Sequence, residues 1–313
     1  MKLSTLITDY LAYRRALGNR FIVEGFILRS FSRHLGSPEL DDIDGERVHS
    51  FLFQRCTTLD TTARKRRALA GLYRYALTRR HRALPPLPVL PRVPQSSFVP
   101  YIYSRHDLRG LLDAAQKICA VRPSLIEDYA LQALLLTLYG AGLRLGEALA
   151  LNCADVDLQE AVITVRDTKF FKTRLVPIGQ GLVRVLAAYR SRRELRHRGP
   201  PGAPFFRLRN GAPMNKHVVE RTFCRLRAAA SVQRDGGPRQ QPRLHDLRHT
   251  AAVHRLLRWY KDGDDLQQQL PRLATYLGHK DLSATQRYLT LTPQLLRAAS
   301  QRFEHYAMEN HYE

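Results

Sequence analysis

Six prolines stand among the sixteen residues from 85 to 100, in the stretch PPLPVLPRVPQSSFVP. Because proline lacks a backbone N–H and has a fixed φ, such a stretch cannot continue a helix and favours extended polyproline conformations. It therefore predicts a semi-rigid linker. The 313 residues of the chain are enough for two folded domains, one on each side of it. The alternative, a proline-rich ligand for a small adaptor domain, is disfavoured by the position of the stretch between two folded regions.

The charge of the chain narrows the choice of partner. There are 50 Lys and Arg residues against 28 Asp and Glu, which gives a formal charge of +22 and a pI near 10.4. A polyanion is the expected partner, because each basic side chain placed on a phosphate releases condensed counterions. Most of the basic residues are arginines, whose planar guanidinium pairs with phosphate through two hydrogen bonds. The composition favours nucleic-acid binding over two alternatives, association with ribosomes and adsorption to an anionic membrane surface.

Other features predict a cytoplasmic protein that is nucleoid-associated when bound to DNA. No run of 18 or more apolar residues is present, so neither a membrane-spanning helix nor a membrane partner is expected. Asp9 and Arg14 interrupt the N-terminal stretch too early for the apolar core of a signal peptide. Four scattered cysteines without a CxxC pair are typical of reduced thiols, and they disfavour a disulfide framework or a zinc site. They are Cys56, Cys119, Cys153 and Cys224.

Apolar residues recur at helical spacing in residues 1–84 and predict four helices. Asp44 is the expected N-cap of the third helix, and Thr61 or Thr62 that of the fourth. The fourth helix and the residues after it are strongly basic and are predicted to face DNA phosphates, with a solvated charged face as the alternative. The predicted DNA-binding residues are Arg64, Lys65, Arg66, Arg67, Arg74, Arg79 and Arg80.

The sequence after the linker is largely helical and contains one clear hairpin. Two β-rich runs, AVITVR at 161–166 and RLVPI at 174–178, predict its strands. A second short hairpin is predicted around Asn210-Gly211, and a last helix over 292–309. The predicted fold class is therefore mainly α with a small β-hairpin or sheet (α+β).

Five short segments of this second region carry basic or acid–base side chains. Each alone is typical of a surface arginine, a solvated lysine, a core histidine or a packing tyrosine. Together they contain what cleavage of a phosphodiester without metal requires: a nucleophile, cations for the nonbridging oxygens and an acid for the leaving oxygen. The candidates are Arg144 in GLRLGE, Lys169 in the hairpin turn DTKFFKTR, His245 and Arg248 in LHDLRHT, His279 in LGHKDLS and Tyr288 in ATQRYL.

In this order and spacing the segments resemble the tyrosine recombinases, the phage-integrase-like site-specific recombinases. The resemblance covers about residues 100–310 and also the layout of a helical domain joined by a linker to a catalytic domain. It implies a helical, core-binding (SAM-like) DNA-binding domain over 1–84, a linker over 85–100 and a catalytic domain over 101–313. The two domains are expected to form a C-shaped clamp on double-stranded DNA.

The resemblance also implies the chemistry of the matching residues. Tyr288 is the implied nucleophile, which forms a 3′-phosphotyrosyl bond. Arg144 and Arg248 would clamp the nonbridging oxygens of the scissile phosphate, and Lys169 would protonate the leaving 5′ oxygen. The sequence has no cluster of carboxylates for magnesium and no GxxxxGK[ST] loop for ATP, so no cofactor is expected.

The remaining roles are supporting ones. His245 would assist proton transfer at the tyrosine, and His279 would hydrogen-bond the phosphate or hold the tyrosine segment in place. Glu147 and Asp246 are expected to pair with the arginines and not to act as catalysts.

Two features depart from the pattern of the family. The segment 259–272 looks longer than usual and predicts an extra loop or a helix extension. The hairpin tip carries Phe170-Phe171 where glycine or a polar residue is common, and Lys172 is also close enough to the tip to be an alternative to Lys169.

The predicted function is that of a DNA recombinase or integrase of a mobile element. It would act as a synaptic tetramer through a Holliday junction, with or without a second recombinase or a DNA-bending accessory protein. The helix over 292–309 would dock on a neighbouring protomer, with folding back on its own domain as the alternative. A type IB topoisomerase is disfavoured by the histidine at 279 and the short chain, and a non-cutting accessory protein by the presence of all six candidates.

Overall fold

The computed structural model describes residues 1–19, 21–53, 58–79, 84–91, 99–121, 124–166, 173–279 and 281–290, together with 297, 300 and 304. The chain forms two compact units, an N-terminal unit of residues 1–97 and a C-terminal unit of residues 98–168 and 172–313. The described part is mostly helical with one small sheet, which confirms the predicted fold class. None of its helices is both long and apolar enough to cross a membrane.

Four helices build the N-terminal unit, as the apolar spacing predicts. They are α1 (Leu3–Ala16), α2 (Ile22–His34), α3 (Gly45–Phe53) and α4 (Leu59–Thr78). Each helix contributes fully buried leucines to a single core, which includes Leu6, Leu28, Leu52 and Leu69. Burying a leucine side chain stabilises the folded chain by about 1.5–3 kcal/mol, so these contacts hold the four helices together.

The helix caps of this unit follow the sequence prediction in one case and depart from it in another. Asp44 accepts a hydrogen bond from the backbone N–H of Arg47 at 2.7 Å, in the position expected of an N-cap. The prediction of Thr61 or Thr62 as the cap of α4 is wrong. The helix begins earlier, and Thr58 is the cap, because its side chain accepts the backbone N–H of Thr61 at 3.4 Å.

The first part of the proline-rich stretch packs on the N-terminal unit. Leu84 and Leu87 contact its core, and the side-chain Nε–H of Arg66 donates to the carbonyl of Pro88 at 2.7 Å. Residues 92–98 of the predicted linker lie outside the described residues.

Eight helices are described in the C-terminal unit. They are α5 (Arg105–Val121), α6 (Asp128–Gly140), α7 (Leu145–Leu149), α8 (Gln180–Arg196), α9 (Lys216–Ala229), α10 (Leu244–Lys261), α11 (Leu266–Leu277) and α12 (Ser283–Thr290). Helix α6 is apolar on nearly all sides and packs against α5, α8 and α10 at the centre of the unit. The predicted helix over 292–309 falls outside the described residues except at 297, 300 and 304.

The predicted hairpin is confirmed and belongs to a three-stranded antiparallel sheet. Strand β2 (Val162–Val165) pairs with β3 (Arg174–Pro177), and a two-residue strand β1 (Val156–Asp157) adds to the other side of β2. Val165 opposite Arg174 is the last pair before the turn. Residues 167–172, which come between these two strands in the sequence, lie outside the described residues.

The second predicted hairpin is only a tight turn. On either side of Asn210-Gly211, a single antiparallel β-bridge joins Arg207 and Pro213. The described residues form no strand there. The long segment 259–272 contains the end of α10, a short turn at Gly263 and the start of α11, so it extends two helices.

Helices α10, α11 and α12 share a separate apolar cluster. Val253, Leu256, Leu273 and Leu277 are buried in it, and so is Tyr288 from α12. This packing fixes the tyrosine against the face of α10 that carries the histidine and arginine candidates.

Candidate active site

Five of the six residues predicted to be catalytic line one pocket of about 180 Å³ in the C-terminal unit. The side chains that they share it with include His249 and the apolar Ile102, Val253 and Ala284. The five are Arg144, His245, Arg248, His279 and Tyr288. The sixth, Lys169, and its alternative Lys172 lie outside the described residues.

Arg248 is buried at the centre of this pocket, with only 1% of the residue exposed. Its guanidinium donates to the carbonyl of Gly142 at 2.6 Å and to that of Leu277 at 2.5 Å. Burial and the nearby charge of Arg144 lower the pKa of Arg248 to about 10, so it remains a cation at neutral pH. Its two carbonyl partners carry only partial negative charge, and the cation is therefore available to a bound anion.

A single carboxylate joins two further arginines at the edge of the pocket. Glu147 accepts from Arg144 Nη1 at 2.6 Å and from Arg174 Nη1 and Nη2 at 3.1 and 2.8 Å. Burial alone would raise the pKa of Glu147, but the hydrogen bonds and charges of Arg174 and Arg144 lower it to about 2. Arg144 also donates to the carbonyl of Gly278 at 3.0 Å. Two guanidiniums thus share one full negative charge, and Arg248 is bonded only to carbonyls, so this group of side chains carries a net positive charge.

Tyr288 projects from α12 into the same pocket and is 6% exposed. Its hydroxyl oxygen lies 3.1 Å from Nδ1 of His249 and also accepts a hydrogen bond from Arg248. Burial raises the pKa of Tyr288, and the charges of Arg248 and Arg144 only partly offset that effect. The phenol is therefore protonated at neutral pH in this state.

The three histidines of the pocket are held neutral. Burial is the main cause, and it acts with the nearby positive charges to lower the pKa of His249 to about 3 and that of His279 to about 4. The pKa of His245 is lowered in the same way. His279 Nδ1 lies 2.7 Å from the hydroxyl of the fully buried Thr285, which fixes the ring beside the start of the tyrosine helix.

His249 is the pocket residue that sequence reasoning missed. It lies one turn after His245 on α10, and the two rings meet edge-on with centroids 4.7 Å apart. The signal available in the sequence was this i, i+4 spacing, which places both histidines on one helix face. The expectation that Asp246 pairs with a candidate catalytic arginine is wrong. Its carboxylate accepts from the backbone N–H of Arg243 at 2.9 Å and from the guanidinium of Arg243 at 3.1 Å, at the N-cap of α10.

Two glycines shape the backbone around the arginines. Gly142 and Gly278 have φ of +61° and +67°, a left-handed conformation that other residues adopt at a cost. A Cβ at Gly142 would lie 2.8 Å from Leu277, and one at Gly278 would lie 2.8 Å from the Arg174 guanidinium. The local backbone geometry therefore favours glycine at both positions, Gly142 in GAGL and Gly278 in LGH.

The basic residues predicted on α4 divide into two groups. Arg64, Arg67, Arg74 and Arg79 are exposed, and the first three lie along one stripe of the helix. Lys65 is different, because its ammonium donates to the carbonyl of Phe51 at 2.9 Å and lies over the ring of that residue.

Arg66 belongs with Lys65, since it is half-buried and its Nε–H is used by a backbone carbonyl of the N-terminal unit. Arg80 lies outside the described residues. The exposed stripe is thus the part of the predicted DNA-binding set that is open to solvent.

A larger cleft of about 900 Å³ lies elsewhere in the C-terminal unit, lined by residues such as Tyr139, His254, Trp259 and Arg272. It contains none of the six predicted catalytic residues. The titratable groups, buried cations and nucleophile meet in the smaller pocket, which is therefore the better candidate for chemistry. Among the described residues, no group of three or more His, Cys, Asp or Glu side chains is placed to hold a metal ion.

Comparison with known proteins identifies the family to which this chain is similar. Residues 104–294 match the sequence model of the phage integrase family. The chain is 38% identical to the "Putative integrase/recombinase y4rB" of Sinorhizobium fredii (strain NBRC 101917 / NGR234), over 71% of this chain and 70% of that protein.

Solved structures share the fold at low identity. The XerH site-specific recombinase bound to palindromic difH substrate matches with a TM-score of 0.64 and 20% identity, over 96% of each chain. The Tn1549 transposon integrase in complex with transposon right end DNA matches with a TM-score of 0.63 and 17% identity, over 96% of this chain and 99% of that one.

Proposed function

The chain belongs to the phage integrase family of tyrosine recombinases, enzymes that cut and rejoin DNA, and we propose that its reaction runs through a covalent bond between Tyr288 and a DNA 3′ phosphate. The observation that carries the proposal is the buried Tyr288 hydroxyl, which lies in an electropositive pocket and in contact with Arg248. A phosphodiester carries a negative charge, which an electropositive pocket attracts.

The proposed step is an in-line displacement at phosphorus. The Tyr288 oxygen attacks, the bond to the 5′ oxygen breaks, and Lys169 protonates that oxygen as it leaves. Arg144 and Arg248 hold the nonbridging oxygens, because both guanidiniums line the pocket with the tyrosine and both charges act on its hydroxyl. Because the phosphotyrosyl bond conserves the energy of the phosphodiester, the rejoining step needs no ATP.

His245 and His279 have supporting roles in this proposal. His245 assists proton transfer on the α10 face, and His279 orients the phosphate or the tyrosine helix. The second role is supported by the bond between His279 and Thr285, since Thr285 belongs to the helix that carries the nucleophile.

The N-terminal unit is proposed to hold the DNA duplex through the exposed arginine stripe of α4. Phosphate contacts of this kind position the duplex and carry no sequence information directly. The two units together would form a clamp around the recombination site. Strand exchange would take place in a tetramer through a Holliday junction, within a mobile element, with the segment 292–309 docking on a neighbouring copy. A second recombinase or a DNA-bending protein would join where the site requires it.

The first test uses nicked suicide substrates made from DNA that flanks the gene in its native replicon, incubated with the protein in EDTA. A covalent protein–DNA band is expected for the wild type and not for Tyr288→Phe. Tyr13→Phe, the same change on an exposed tyrosine of the N-terminal unit, is the matched control and should keep the band. Arg144→Ala and Arg248→Ala should each lower the cleavage rate by roughly 10²–10³.

Each contrary result has a definite meaning. A band with Tyr288→Phe would assign the nucleophile to another tyrosine. Loss of the wild-type band on chelation would contradict the metal-free step. Salt-dependent binding with no band would favour an accessory protein that holds the site without cutting it, and cleavage by a monomer without synapsis would favour a topoisomerase.

A further inference from the structure

We propose that His249 accepts the phenolic proton of Tyr288 as the tyrosine attacks the phosphate, an inference that rests on the proposed function. The sequence assigns no role to this residue, but its Nδ1 atom lies 3.1 Å from the reacting oxygen. In the tautomer with its proton on Nε2, Nδ1 presents a lone pair to the hydroxyl. The contact therefore places a proton acceptor on the nucleophile itself.

The state of Tyr288 makes such an acceptor necessary. Because burial raises the pKa of the phenol despite the nearby arginines, the hydroxyl keeps its proton at neutral pH. A neutral phenol is a poor nucleophile, and the proton must leave as the bond to phosphorus forms. Arg248 also contacts the oxygen, but a guanidinium has no lone pair with which to take a proton.

The surroundings of His249 keep it able to accept. The charged and titratable groups that act on it are His245 and Arg248 on its own helix, Arg243 at the N-cap of that helix, His279 after α11 and Tyr288 on α12. Burial is the main reason that the imidazole is neutral, and the two arginines add to it because they disfavour a further positive charge there. When a phosphate enters, its negative charge offsets these cations and makes proton transfer to Nδ1 easier.

The other two histidines have different contacts. His245 meets His249 edge-on with ring centroids 4.7 Å apart, and His279 directs its Nδ1 to the Thr285 hydroxyl. The resemblance implies that His245 assists proton transfer at the tyrosine; the direct acceptor in this proposal is instead the next histidine along the same helix face. His245 is left to act on His249 or on the phosphate.

The proton balance of the step is closed. The bond from Tyr288 Oη to phosphorus forms, the phenolic proton moves to His249 Nδ1, the bond from phosphorus to the 5′ oxygen breaks, and Lys169 protonates that oxygen. Rejoining reverses each transfer, so the proton on His249 returns to the tyrosine. No oxidant, metal or nucleotide is consumed.

The test compares the wild type with His249→Asn and His249→Gln in single-turnover cleavage of the nicked suicide substrates at pH 6 to 9. An amide can accept a hydrogen bond from the hydroxyl but cannot take its proton. We expect cleavage at pH 7 to fall by roughly 10²- to 10³-fold. Without the acceptor, the variant can react only through the small fraction of Tyr288 that is already ionised, and that fraction rises about tenfold per pH unit below the pKa. The ratio of wild-type to variant rates should therefore shrink about tenfold per pH unit. His254→Asn, the same change on a histidine of α10 that lines the larger cleft, is the matched control, and its ratio should stay near one at every pH.

A second substrate separates the two proton transfers. With sulfur in place of the bridging 5′ oxygen, the leaving thiolate needs no acid, so the deficit of Lys169→Ala should disappear while that of His249→Asn persists. Recovery of His249→Asn on the sulfur substrate would place His249 at the leaving group and overturn the inference. A deficit that is independent of pH, or no deficit at all, would also overturn it.

These outcomes are distinct from failure of the proposed function. If the wild type forms no Tyr288-dependent covalent band, the reaction itself is wrong. If the wild type forms the band and the histidine variants show no pH-dependent deficit, only the role of His249 is wrong. Thermal melting and DNA binding of each variant establish that the rates refer to folded protein.

Discussion

Replacing Glu147 with glutamine should destabilise the C-terminal unit in a manner that depends on pH. Each carboxylate oxygen accepts two N–H groups: one takes Arg144 Nη1 and Arg174 Nη1, the other the Arg144 backbone N–H and Arg174 Nη2. In either orientation the glutamine NH₂ would face two donors and leave them unsatisfied. Two guanidiniums would also lose the charge that they share.

The size of the effect follows from the pKa of Glu147. A carboxyl with an ordinary pKa of 4.5 and a pKa of about 2 in the folded chain is stabilised by about 3 kcal/mol, at about 1.4 kcal/mol per pH unit. The side chain is only 11% exposed, so most of this persists against solvent screening. Because the folded pKa is the lower one, the stabilisation is complete above about pH 4.5 and is lost as the pH falls toward 2.

The single tryptophan of the chain, Trp259 in α10, makes this measurable in one unit. Urea unfolding followed by its fluorescence should show Glu147→Gln less stable than the wild type by about 2–3 kcal/mol at pH 7. The difference should fall to about 1–1.5 kcal/mol at pH 3. Glu220→Gln, the same change in an exposed pair with Lys216, should shift stability by less than about 0.5 kcal/mol. A difference for Glu147→Gln that does not change with pH would refute the electrostatic argument.

Two other sets of substitutions separate functional from structural residues. Arg67→Ala and Arg74→Ala should each weaken binding to duplex DNA of any sequence and reduce the slope of log K against log salt by about 1. Lys65→Ala should lower stability and leave that slope unchanged. Fluorescence anisotropy between 50 and 200 mM salt would measure the slope. Gly278→Ala should lower the melting temperature through a strain of about 1–2 kcal/mol at its positive φ and impair cleavage, whereas Gly146→Ala, with open space around its Cβ, should do neither.

The sequence predicts the elements of the fold well where the apolar pattern is long. The helices of the N-terminal unit and the hairpin of β2 and β3 follow from spacing alone. Strand β1 has two residues, too few to show an alternating pattern, so only its pairing with β2 reveals it. The sequence predicts the wrong cap for α4 because several threonines stand before its basic residues. Only the backbone conformation determines which threonine comes directly before the first helical turn.

The candidate site was also predictable only in part. The order of the motifs predicts that Arg144, Arg248 and Tyr288 lie together, and all three line one pocket of the structure. The contact of His249 with the tyrosine could not be predicted, because it depends on how α12 packs on α10 through Val253 and its neighbours. Spacing along one helix identifies a shared face, but not the side chain on another helix that this face meets.

The way in which Arg248 is held explains how one pocket can bind an anion and keep a neutral base. A carboxylate partner would neutralise the guanidinium, whereas the carbonyls of Gly142 and Leu277 satisfy its N–H groups and leave its charge in place. Those carbonyls point inward because the chain turns at Gly142 and Gly278 with positive φ. The charge preserved in this way would attract the phosphate of the proposed reaction, and it adds to burial in disfavouring protonation of His249. The glycine turns thus favour both an anionic substrate and a lone pair on the imidazole beside the nucleophile.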